Sequence, residues 1–387
     1  MVQPEDRMEN LAQLLNRNLL SKTPFRLALI GILLASILGC NKSSTGSGGV
    51  GPTWITFNKT NHQLVGNRVN SLYTDADGIV WIATDSGASY FNHGTWSSFV
   101  TDLQYATYYN GGELIVSTVN SITQGLDRSI WFGLNGGGMA RYNQFAQHLV
   151  WRRYTTSDGG IPYNIVNAVD RGQVASSGGL PGEVWCATYL GVGHFIPAVN
   201  EGGVWINYTT DNSTLPSNTV RAVALNINDN SIWFASQDPS SGSSCVLSIN
   251  ANLQWQPAQI LPPPYDLPIV AIAFDDHNIG WFAKWQGVSS LNTKTLQWTH
   301  YTNESTKRVL PLGNVNSVTT DYDLTRWFGT NSGLVRMIDT SWTKFNRLNT
   351  PQLPSDTVTA LTYDRNGNLW IGTPHGVAVY NQAGTRF

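Results

Sequence analysis

The sequence has 387 residues, well beyond a typical domain length, so it forms either several domains or one large repetitive domain. Only 12% of the residues are charged, where soluble domains carry about 25%, while glycine and tryptophan occur 37 and 15 times. This composition favours strands and turns over charged amphipathic helices. The formal net charge of -2 provides no basic field for a polyanion and argues against nucleic-acid binding.

The first 40 residues have the organisation of an export signal. Basic residues up to Arg26 precede an apolar run over residues 27–38, and Gly39 and Cys40 follow it. A basic segment, a short apolar run and a small residue before the cleavage point are the three parts of a secretory signal. The run is too short for a membrane span, which needs about 20 residues.

A cysteine directly after the small residue makes this segment similar to a bacterial lipoprotein signal. The resemblance implies that residues 1–39 are removed and that the Cys40 thiol is acylated. An ordinary secretory signal followed by an incidental cysteine is the alternative. Residues 40–52 are then a lipidated, Gly/Ser-rich tether. No second hydrophobic span follows, so we expect a lipid-anchored protein of the bacterial cell envelope, at the outer membrane and facing the periplasm or the cell surface.

A repeated unit begins near Trp54. It contains a V-x-x-[LIV] run, a turn, an apolar segment around a tryptophan, a glycine turn and a further short strand. The central tryptophans recur every 43 to 54 residues, at Trp81, Trp131, Trp185, Trp233, Trp281, Trp327 and Trp370. Periods near 40 to 50 residues with about four short strands indicate propeller blades. Asp77-Gly78 and Asn366-Gly367 are typical of hairpin turns between the strands.

The outermost strand of each unit begins with a tryptophan. These strands begin at Trp54, Trp96, Trp151, Trp205, Trp298 and Trp342, with a degenerate copy at Trp255. The last unit lacks such a strand, whereas the first unit has one too many. The sequence therefore predicts an all-β, seven-bladed β-propeller of four-stranded antiparallel blades over residues 53–387, closed by the N-terminal strand, which completes the last blade. An open array with two unpaired ends is the alternative.

The repeats resemble the two-component regulator propeller family. VNSLYTDADGIVWIATDSG at residues 69–87 and VTALTYDRNGNLWIGTPHGV at residues 358–377 follow its pattern closely, and residues 315–335 depart from it only in the turn. The resemblance implies a periplasmic sensory domain of the kind found in hybrid histidine kinases. Because no kinase or response-regulator segment occurs in the sequence, we expect a stand-alone lipoprotein that binds a ligand or an envelope protein.

The repeated tryptophans, glycines and apolar residues are interpreted as core, because a tryptophan at the same depth in every blade packs against the neighbouring sheet. Cys186 and Cys245 fall in adjacent blades but in different strands. A disulfide in an oxidising compartment and two buried free thiols both remain open for this pair.

The residues that differ between repeats lie in the loops on one face, where propeller scaffolds carry function. The turn between the second and third strands holds six candidates, Asp85, Asn135, Tyr189, Trp285, Asn331 and His375. The residue after the inner-strand valine is Asn70, Asn120, Asn167, Arg221, Ala271, Asn316 or Thr359. We expect Tyr189 and Trp285 to stack on a neutral glycan or peptide ligand that Arg221 and the amides bind by hydrogen bonds, with no cofactor and no metal. Capping of backbone groups is the alternative role for these asparagines.

Catalysis has one candidate pair, Asp85 and His375, which closure would place on neighbouring blades; a histidine beside a carboxylate is a reasonable general base. No serine elbow or phosphate loop accompanies them. The DADG and DRNG turns lack the further ligands of a calcium loop. We therefore expect a non-catalytic binding module. A propeller enzyme resembling streptogramin lyase and a structural envelope scaffold are the alternatives.

Overall fold

The computed structural model describes residues 52–61, 64–99, 118–143, 151–172, 182–198, 202–238, 240–321 and 323–383. Residues Val50–Phe387 form one compact unit. The export signal and Cys40, on which the lipid-anchor prediction depends, lie outside the described residues. Over the described ranges the chain forms 28 strands and a single 3-10 turn at Thr156–Asp158. None of the described segments is a helix with the length and apolar character needed to cross a membrane.

The strands form seven four-stranded antiparallel sheets. Named from the inner to the outer strand, the first four blades are β2 (Val69–Thr74), β3 (Val80–Thr84), β4 (Gly87–Asn92) and β5 (Thr95–Ser98); β6 (Val119–Gln124), β7 (Ile130–Leu134), β8 (Met139–Tyr142) and β9 (Trp151–Tyr154); β10 (Val166–Arg171), β11 (Val184–Thr188), β12 (Gly191–Pro197) and β13 (Gly203–Tyr208); and β14 (Ala222–Asn226), β15 (Ser231–Gln237), β16 (Ser244–Ile249) and β17 (Gln259–Ile260).

The remaining three blades follow the same inner-to-outer order. They are β18 (Ile269–Phe274), β19 (Ile279–Lys284), β20 (Gly287–Asn292) and β21 (Trp298–Tyr301); β22 (Val315–Thr320), β23 (Arg326–Thr330), β24 (Gly333–Ile338) and β25 (Ser341–Phe345); and β26 (Ala360–Tyr363), β27 (Leu369–Thr373), β28 (Gly376–Asn381) and β1 (Thr53–Phe57). The predicted seven-bladed propeller is therefore confirmed.

Closure of the ring occurs as the sequence predicts. The N-terminal strand β1 pairs antiparallel with β28 in the last blade, with Trp54 opposite Tyr380 and Phe57 opposite Val377. The inner strand of the last blade packs against the inner strand of the first, as each inner strand does with its neighbour around the ring. Because β1 covers the edge of β28, the last blade has its full four strands.

The hydrophobic core is divided into seven clusters, one at each junction between neighbouring blades. The seven repeat tryptophans lie in these clusters and are at most 5% exposed. Each presents its indole to the next sheet, as in the edge-to-face contact of Trp81 with Phe132 of the second blade, whose ring centroids are 6.0 Å apart. The interpretation of the repeat tryptophans as core is confirmed, and the sheets are held face to face by aromatic burial.

The hairpin between the first and second strands has the predicted glycine geometry. Gly78 and Gly367 have φ of 83° and 75°, a region that glycine enters without a Cβ penalty. In the first blade the Asp75 carboxylate accepts the N–H groups of Asp77 and Ile79 at 2.8 and 2.9 Å. Its other oxygen accepts the Trp81 indole N–H at 2.8 Å. One carboxylate therefore fixes both the turn and the core tryptophan.

The structure resolves two further points about the fourth blade and its neighbour. The outer strand of the fourth blade is the short β17, and Trp255 makes only an isolated bridge to Ile249. Pro257 separates the two segments and has no N–H to continue a ladder. Cys186 and Cys245 are both free and buried, which settles the two alternatives for this pair.

Candidate functional site

The turns between the second and third strands lie at one end of the ring, together with the connections from each outer strand to the next inner strand. We call this end the turn face. The six predicted turn residues are all exposed there: Asp85, Asn135, Tyr189, Trp285, Asn331 and His375. In the fourth blade a longer turn after Gln237 takes their place. The prediction that these side chains share one face agrees with the strand topology.

The backbone of this face is well fixed although its side chains are exposed. The turn residue donates its N–H to a carbonyl just before the inner strand of its own blade, in the pairs Asp85 to Arg68 (3.2 Å), Asn135 to Thr118 (2.9 Å), Trp285 to Pro268 (3.1 Å) and Asn331 to Asn314 (3.1 Å). The side chains thus project from a rigid frame. A ligand meeting them would cause little loss of backbone entropy.

Tyr189 and Arg221 come together on the turn face. The Arg221 guanidinium carbon lies 5.8 Å from the centroid of the Tyr189 ring, within the range of a cation–π contact. The tyrosine is 40% exposed, and the buried Nε of the arginine has no hydrogen-bond partner among the described residues. The pair combines a stacking surface with unused hydrogen-bonding capacity.

The asparagines at the start of the inner strands join neighbouring blades. Each donates its side-chain amide to the carbonyl of the inner-strand valine in the next blade, in the pairs Asn70 to Val119, Asn120 to Val166, Asn167 to Val220 and Asn316 to Val358, at 2.8 to 3.0 Å. Thr359 makes the equivalent bond to Val69. These asparagine side chains therefore have the alternative role considered from the sequence, which is to cap backbone groups.

The equivalent residue in the fifth blade is Val270, not Ala271. Ile269 pairs with Lys284 as Val69 pairs with Thr84, which places Val270 at the position of Asn70. The sequence analysis therefore placed this position one residue too late, at Ala271. Both Ile269 and Val270 could be matched to the valine that begins the inner strand in the other repeats, and the structure shows that Ile269 is the equivalent residue. Neither Val270 nor Arg221 makes the amide contact, so both junctions of the fifth blade lack it.

The candidate catalytic pair is not assembled. Asp85 accepts the hydroxyl of its neighbour Ser86 at 3.1 Å, and His375 donates its main-chain N–H to Thr373. Among the described residues, the ion pairs that include a histidine are His194 with Glu183 and His277 with Asp276. Neither Asp85 nor His375 takes part in them.

The His194–Glu183 pair was not predicted from sequence. The two side chains lie 3.2 Å apart and are buried in the third blade, where the imidazole stacks on Trp185 at 3.8 Å. In the third blade, Gly172 occupies the position that Asp75 has in the first blade, so no carboxylate is present there. The buried carboxylate of this hairpin is Glu183, which lies directly before the second strand β11. The pair packs inside a blade and is therefore structural.

Within the part of the chain that the structure describes, one group of side chains is close enough together to hold a metal ion, namely Asp275, Asp276 and His277. Asp275 already accepts the N–H groups of His277 and Ile279 on one oxygen. Its other oxygen accepts the Trp281 indole and the Arg326 guanidinium at 3.1 and 3.0 Å. Because both carboxylate oxygens are saturated within the protein, this group is a hairpin cap.

A central channel runs between the inner strands. Its cavity of about 430 Å³ is lined by residues of all seven blades, from the ring of asparagines to Tyr73 and Asp170. A further cavity of about 560 Å³ opens at the end opposite the turn face, beside Ile227, Phe274 and Tyr363. Burial raises the pKa of Asp170, whose oxygens accept hydrogen bonds from Thr123 and from the Leu225 N–H. The predicted turn residues do not line these cavities.

A buried lysine is the main feature that the sequence interpretation missed. Lys284 ends the second strand of the fifth blade, where four other blades have Thr84, Thr188, Thr330 and Thr373. Those threonines donate to the carbonyl of the glycine that opens the next strand, at 2.7 to 2.9 Å. When the repeats of this chain are compared with one another, the lysine in place of this threonine is the sequence signal that could have singled out Lys284.

Comparison with known families agrees with the repeat pattern. A family model described as two component regulator propeller matches residues 63–86 and 352–375, in the first and last blades. The chain carries two-component regulator propeller repeats. The predicted resemblance is confirmed. None of the curated proteins matches the sequence.

Several solved structures resemble this chain over most of its length. The extracellular domain of BT3049 from B. thetaiotaomicron, assigned to a hybrid two component system, is 20% identical with a TM-score of 0.63; the match covers 85% of this chain and 41% of that one. A streptogramin B lyase is 14% identical with a TM-score of 0.62, covering 87% and 99%. PorZ of Porphyromonas gingivalis, a surface component of the type-IX secretion system, is 16% identical with a TM-score of 0.61, covering 81% and 46%.

These similarities show that this chain and the three solved structures share the propeller fold. The chain spans about two fifths of the BT3049 domain, and less than half of PorZ. Propellers of this fold therefore occur in a two component system protein, in a secretion-system component and in a lyase. Since one fold serves several functions, the function of this chain depends on its own side chains.

Proposed function

We propose that this protein is a non-catalytic binding module of the bacterial cell envelope, which takes a neutral polar ligand, a glycan or a peptide segment, on the turn face. The observation that carries the proposal is the exposure of Tyr189 and Trp285, by 40% and 44%, at turn positions where the other blades have polar residues. Packing does not require an aromatic ring there. Rigid, partly exposed aromatic rings are the usual anchors of recognition surfaces.

Further apolar side chains on the same face support this reading. Leu190 follows Tyr189 in the turn, and Leu312 and Leu348 lie in connections between blades; they are 49%, 76% and 95% exposed. The turn face thus presents apolar patches between polar side chains. This combination suits a sugar ring or a peptide, both of which have apolar faces and hydrogen-bonding edges.

The relatives support an envelope location for the proposed binding. BT3049 is represented by an extracellular domain, and PorZ is a bacterial surface component. Both are similar to this chain in fold, and the export-signal pattern in residues 1–40 points to the same compartment. A structural scaffold without a ligand is the outcome to be distinguished by experiment.

The binding proposal is tested with the propeller and panels of neutral oligosaccharides and short peptides, screened by thermal shift. A compound that binds the native state raises the unfolding midpoint by mass action. For each hit, Trp285→Ala and Tyr189→Ala are expected to weaken binding at least tenfold, because losing a central aromatic anchor costs about 2 kcal/mol or more. The unfolding midpoint without ligand should change little, since both side chains are exposed.

Ile227→Ala is the control, since Ile227 is 63% exposed at the opposite end of the channel. Its affinity for a turn-face ligand should equal that of the wild type. A ligand whose affinity falls in Ile227→Ala and is unchanged in both aromatic variants would move the site to the opposite cavity. Failure of every compound to bind would favour the scaffold.

The membrane tether is a separate part of the proposal and depends on Cys40. Cys40→Ser should move the full-length protein from the membrane fraction to the soluble fraction, because acylation would be its attachment. Metabolic labelling with a palmitate analogue should label the wild type and not the variant. A variant that stays in salt-washed membranes would contradict lipid attachment while leaving the binding proposal intact.

A further inference from the structure

Lys284 is a buried cation that forms no ion pair with any of the described residues. Its side chain is 1% exposed, although lysine is among the residues least often buried. Among the ion pairs of the described residues, none includes Lys284, so no carboxylate lies within 4.0 Å of its ammonium group. An isolated charge in such a place is costly unless a partner neutralises it.

The surroundings of Lys284 form a polar cluster at the junction of the fourth and fifth blades. The ammonium lies 5.8 Å from the centroid of the Tyr265 ring, in the connection between these blades. Tyr265 stacks on His300 with centroids 3.9 Å apart and an interplanar angle of 10°. The His300 Nδ1 forms a hydrogen bond of 2.9 Å with the buried Ser289 hydroxyl. A flat aromatic wall therefore stands beside the buried amine.

A second unsatisfied group lies against the same connection. The Ser244 hydroxyl is buried and has no hydrogen-bond partner among the described residues, and its main-chain N–H donates to the Asp266 carbonyl. The Asp266 carboxylate accepts the Ser243 hydroxyl at 3.0 Å. Buried polar groups are normally paired, so an unpaired hydroxyl beside the connection that carries Tyr265 and Asp266 is a second departure from full hydrogen bonding at this junction.

The electrostatics of the cluster fit one negative charge. Burial lowers the pKa of Lys284 to about 8, and Asp266 opposes this shift. Burial also lowers the pKa of His300, and the nearby Lys284 adds to the effect. At neutral pH the imidazole is therefore uncharged and the lysine supplies a single positive charge.

We propose that this junction is a binding site for a monocarboxylate with a flat or ring-shaped body, whose carboxylate pairs with the Lys284 ammonium. Its body lies along the Tyr265–His300 wall. The site lies at the turn-face end of the ring, but it uses Lys284 and Tyr265 instead of Tyr189 and Trp285, and it stands without the ligand proposed above. Tyr265 and His300 are only partly buried, so they provide the side from which a ligand enters.

A monocarboxylate suits the site better than phosphate. A dianion would bring two negative charges to one lysine and to a region that already holds Asp266. A monocarboxylate instead matches the single positive charge and accepts charge-assisted hydrogen bonds from the Lys284 ammonium. The junction also lacks the amide bond that joins most other blades at their inner strands, because Arg221 occupies that position.

The test uses benzoate and D-glucuronate as carboxylate probes, with benzamide and D-glucose as neutral analogues of the same shape, and inorganic phosphate as a dianion. Affinities are measured by calorimetry on the wild-type protein at pH 7. Benzoate or glucuronate should bind at least tenfold more tightly than its neutral analogue and than phosphate. Equal affinity for the charged and neutral probes, or no binding, would overturn the proposal.

Three variants locate the binding. Lys284→Met, of similar length and without charge, should weaken carboxylate binding at least tenfold. Lys294→Met is the matched control, because Lys294 is exposed in the same blade, and should bind as the wild type does. Trp285→Ala removes the turn-face aromatic and should also keep carboxylate binding. Loss in Trp285→Ala alone would place the carboxylate at the Trp285 turn and reject the Lys284 site.

A second measurement does not depend on variant folding. In the wild type, NMR titration of the lysine side-chain signals should show the Lys284 pKa rising on saturation with benzoate, because a bound anion favours the charged amine. The signal of Lys294 should not change. An unchanged Lys284 titration under saturating benzoate would refute the contact.

Discussion

At the scale of single residues, the structure separates repeated residues that build the frame from substituted residues that alter it. Thr84 and Thr373 close their turns by donating to a glycine carbonyl. Lys284 stands at the same position and cannot make that bond in the same way, yet it is almost completely buried. Lys284 therefore departs from the repeat and buries a charge that has no ion-pair partner among the described residues, which lowers the stability of the fold. Local departures of this kind are concentrated at functional sites.

Because burial disfavours the charged form of Lys284, the free energy of unfolding should depend on pH. The folded-state pKa of about 8 lies below 10.5, the usual value for a solvated lysine, so between these values the unfolded chain binds more protons than the folded one. The Lys284 contribution to the free energy of unfolding therefore increases with pH across this window, and the burial penalty is fully present below pH 8. The wild type should gain on the order of 2–3 kcal/mol relative to Lys284→Met from pH 7 to pH 10.5.

The measurement is urea unfolding of both proteins at intervals from pH 7 to 10.5, without carboxylate buffers. Comparing the two proteins cancels the titration of tyrosines such as Tyr73, whose pKa is raised by burial. Asp266, His300 and Tyr265 face the amine and are present in both proteins. A stability difference that does not vary with pH would show that Lys284 titrates normally.

At the scale of the element, the hairpin between the first and second strands is organised by one buried carboxylate. In the first, fifth and seventh blades Asp75, Asp275 and Asp364 accept the indole N–H of the repeat tryptophan. The indole N–H of Trp327 in the sixth blade donates instead to the hydroxyl of Tyr363, in the neighbouring seventh blade, at 2.7 Å. The same contact thus links a local turn to the inter-blade core, which explains why the turn sequence and the tryptophan recur together.

Asp75→Ala should lower the free energy of unfolding by about 2–4 kcal/mol, because it leaves two turn N–H groups and the Trp81 indole without their acceptor. Asp77→Ala is the matched control in the same turn. Asp77 makes an exposed ion pair with Arg128 at 3.3 Å, which is worth about 0.5 kcal/mol or less. Chemical denaturation measures both, and equal destabilisation by the two substitutions would contradict the capping role of Asp75.

At the scale of the whole molecule, stability depends on a ring in which the first strand belongs to the last blade. Phe57 on β1 is 6% exposed and packs on Trp370 with ring centroids 5.9 Å apart, and on Phe91 and Trp96 of the first blade. The strand thus joins the seventh blade and also fills the junction between the seventh and first blades. Loss of this strand would expose both an edge and a core cluster.

Phe57→Ala should cost about 3–5 kcal/mol by leaving a cavity at this junction. Ile55→Ala on the same strand should cost less than about 1 kcal/mol, since Ile55 is 40% exposed. Deletion of residues 53–57 should give an unfolded or self-associating protein, seen by light scattering and circular dichroism. A monomeric deletion variant with an unchanged unfolding midpoint would show that closure does not stabilise the ring.

The sequence by itself determined the blade number, the strand order, the closure by Trp54–Phe57 and the core tryptophans. These features follow from local rules, since alternating apolar residues define strands, glycine with positive φ defines hairpins, and seven repeats require seven outer strands. The six candidate turn residues could be placed on one face for the same reason. Their chemistry was less predictable, because repeats give the position of a side chain and not its neighbours.

The tertiary structure alone decided which side chains meet across blades. It showed that Asp85 and His375 form no ion pair among the described residues, that Asn70 and its equivalents donate to the next blade, and that Cys186 and Cys245 are free. It also brought Lys284 beside Tyr265 and His300. Such contacts join residues distant in sequence, and their distances and burial depend on how neighbouring sheets pack, which no local pattern specifies.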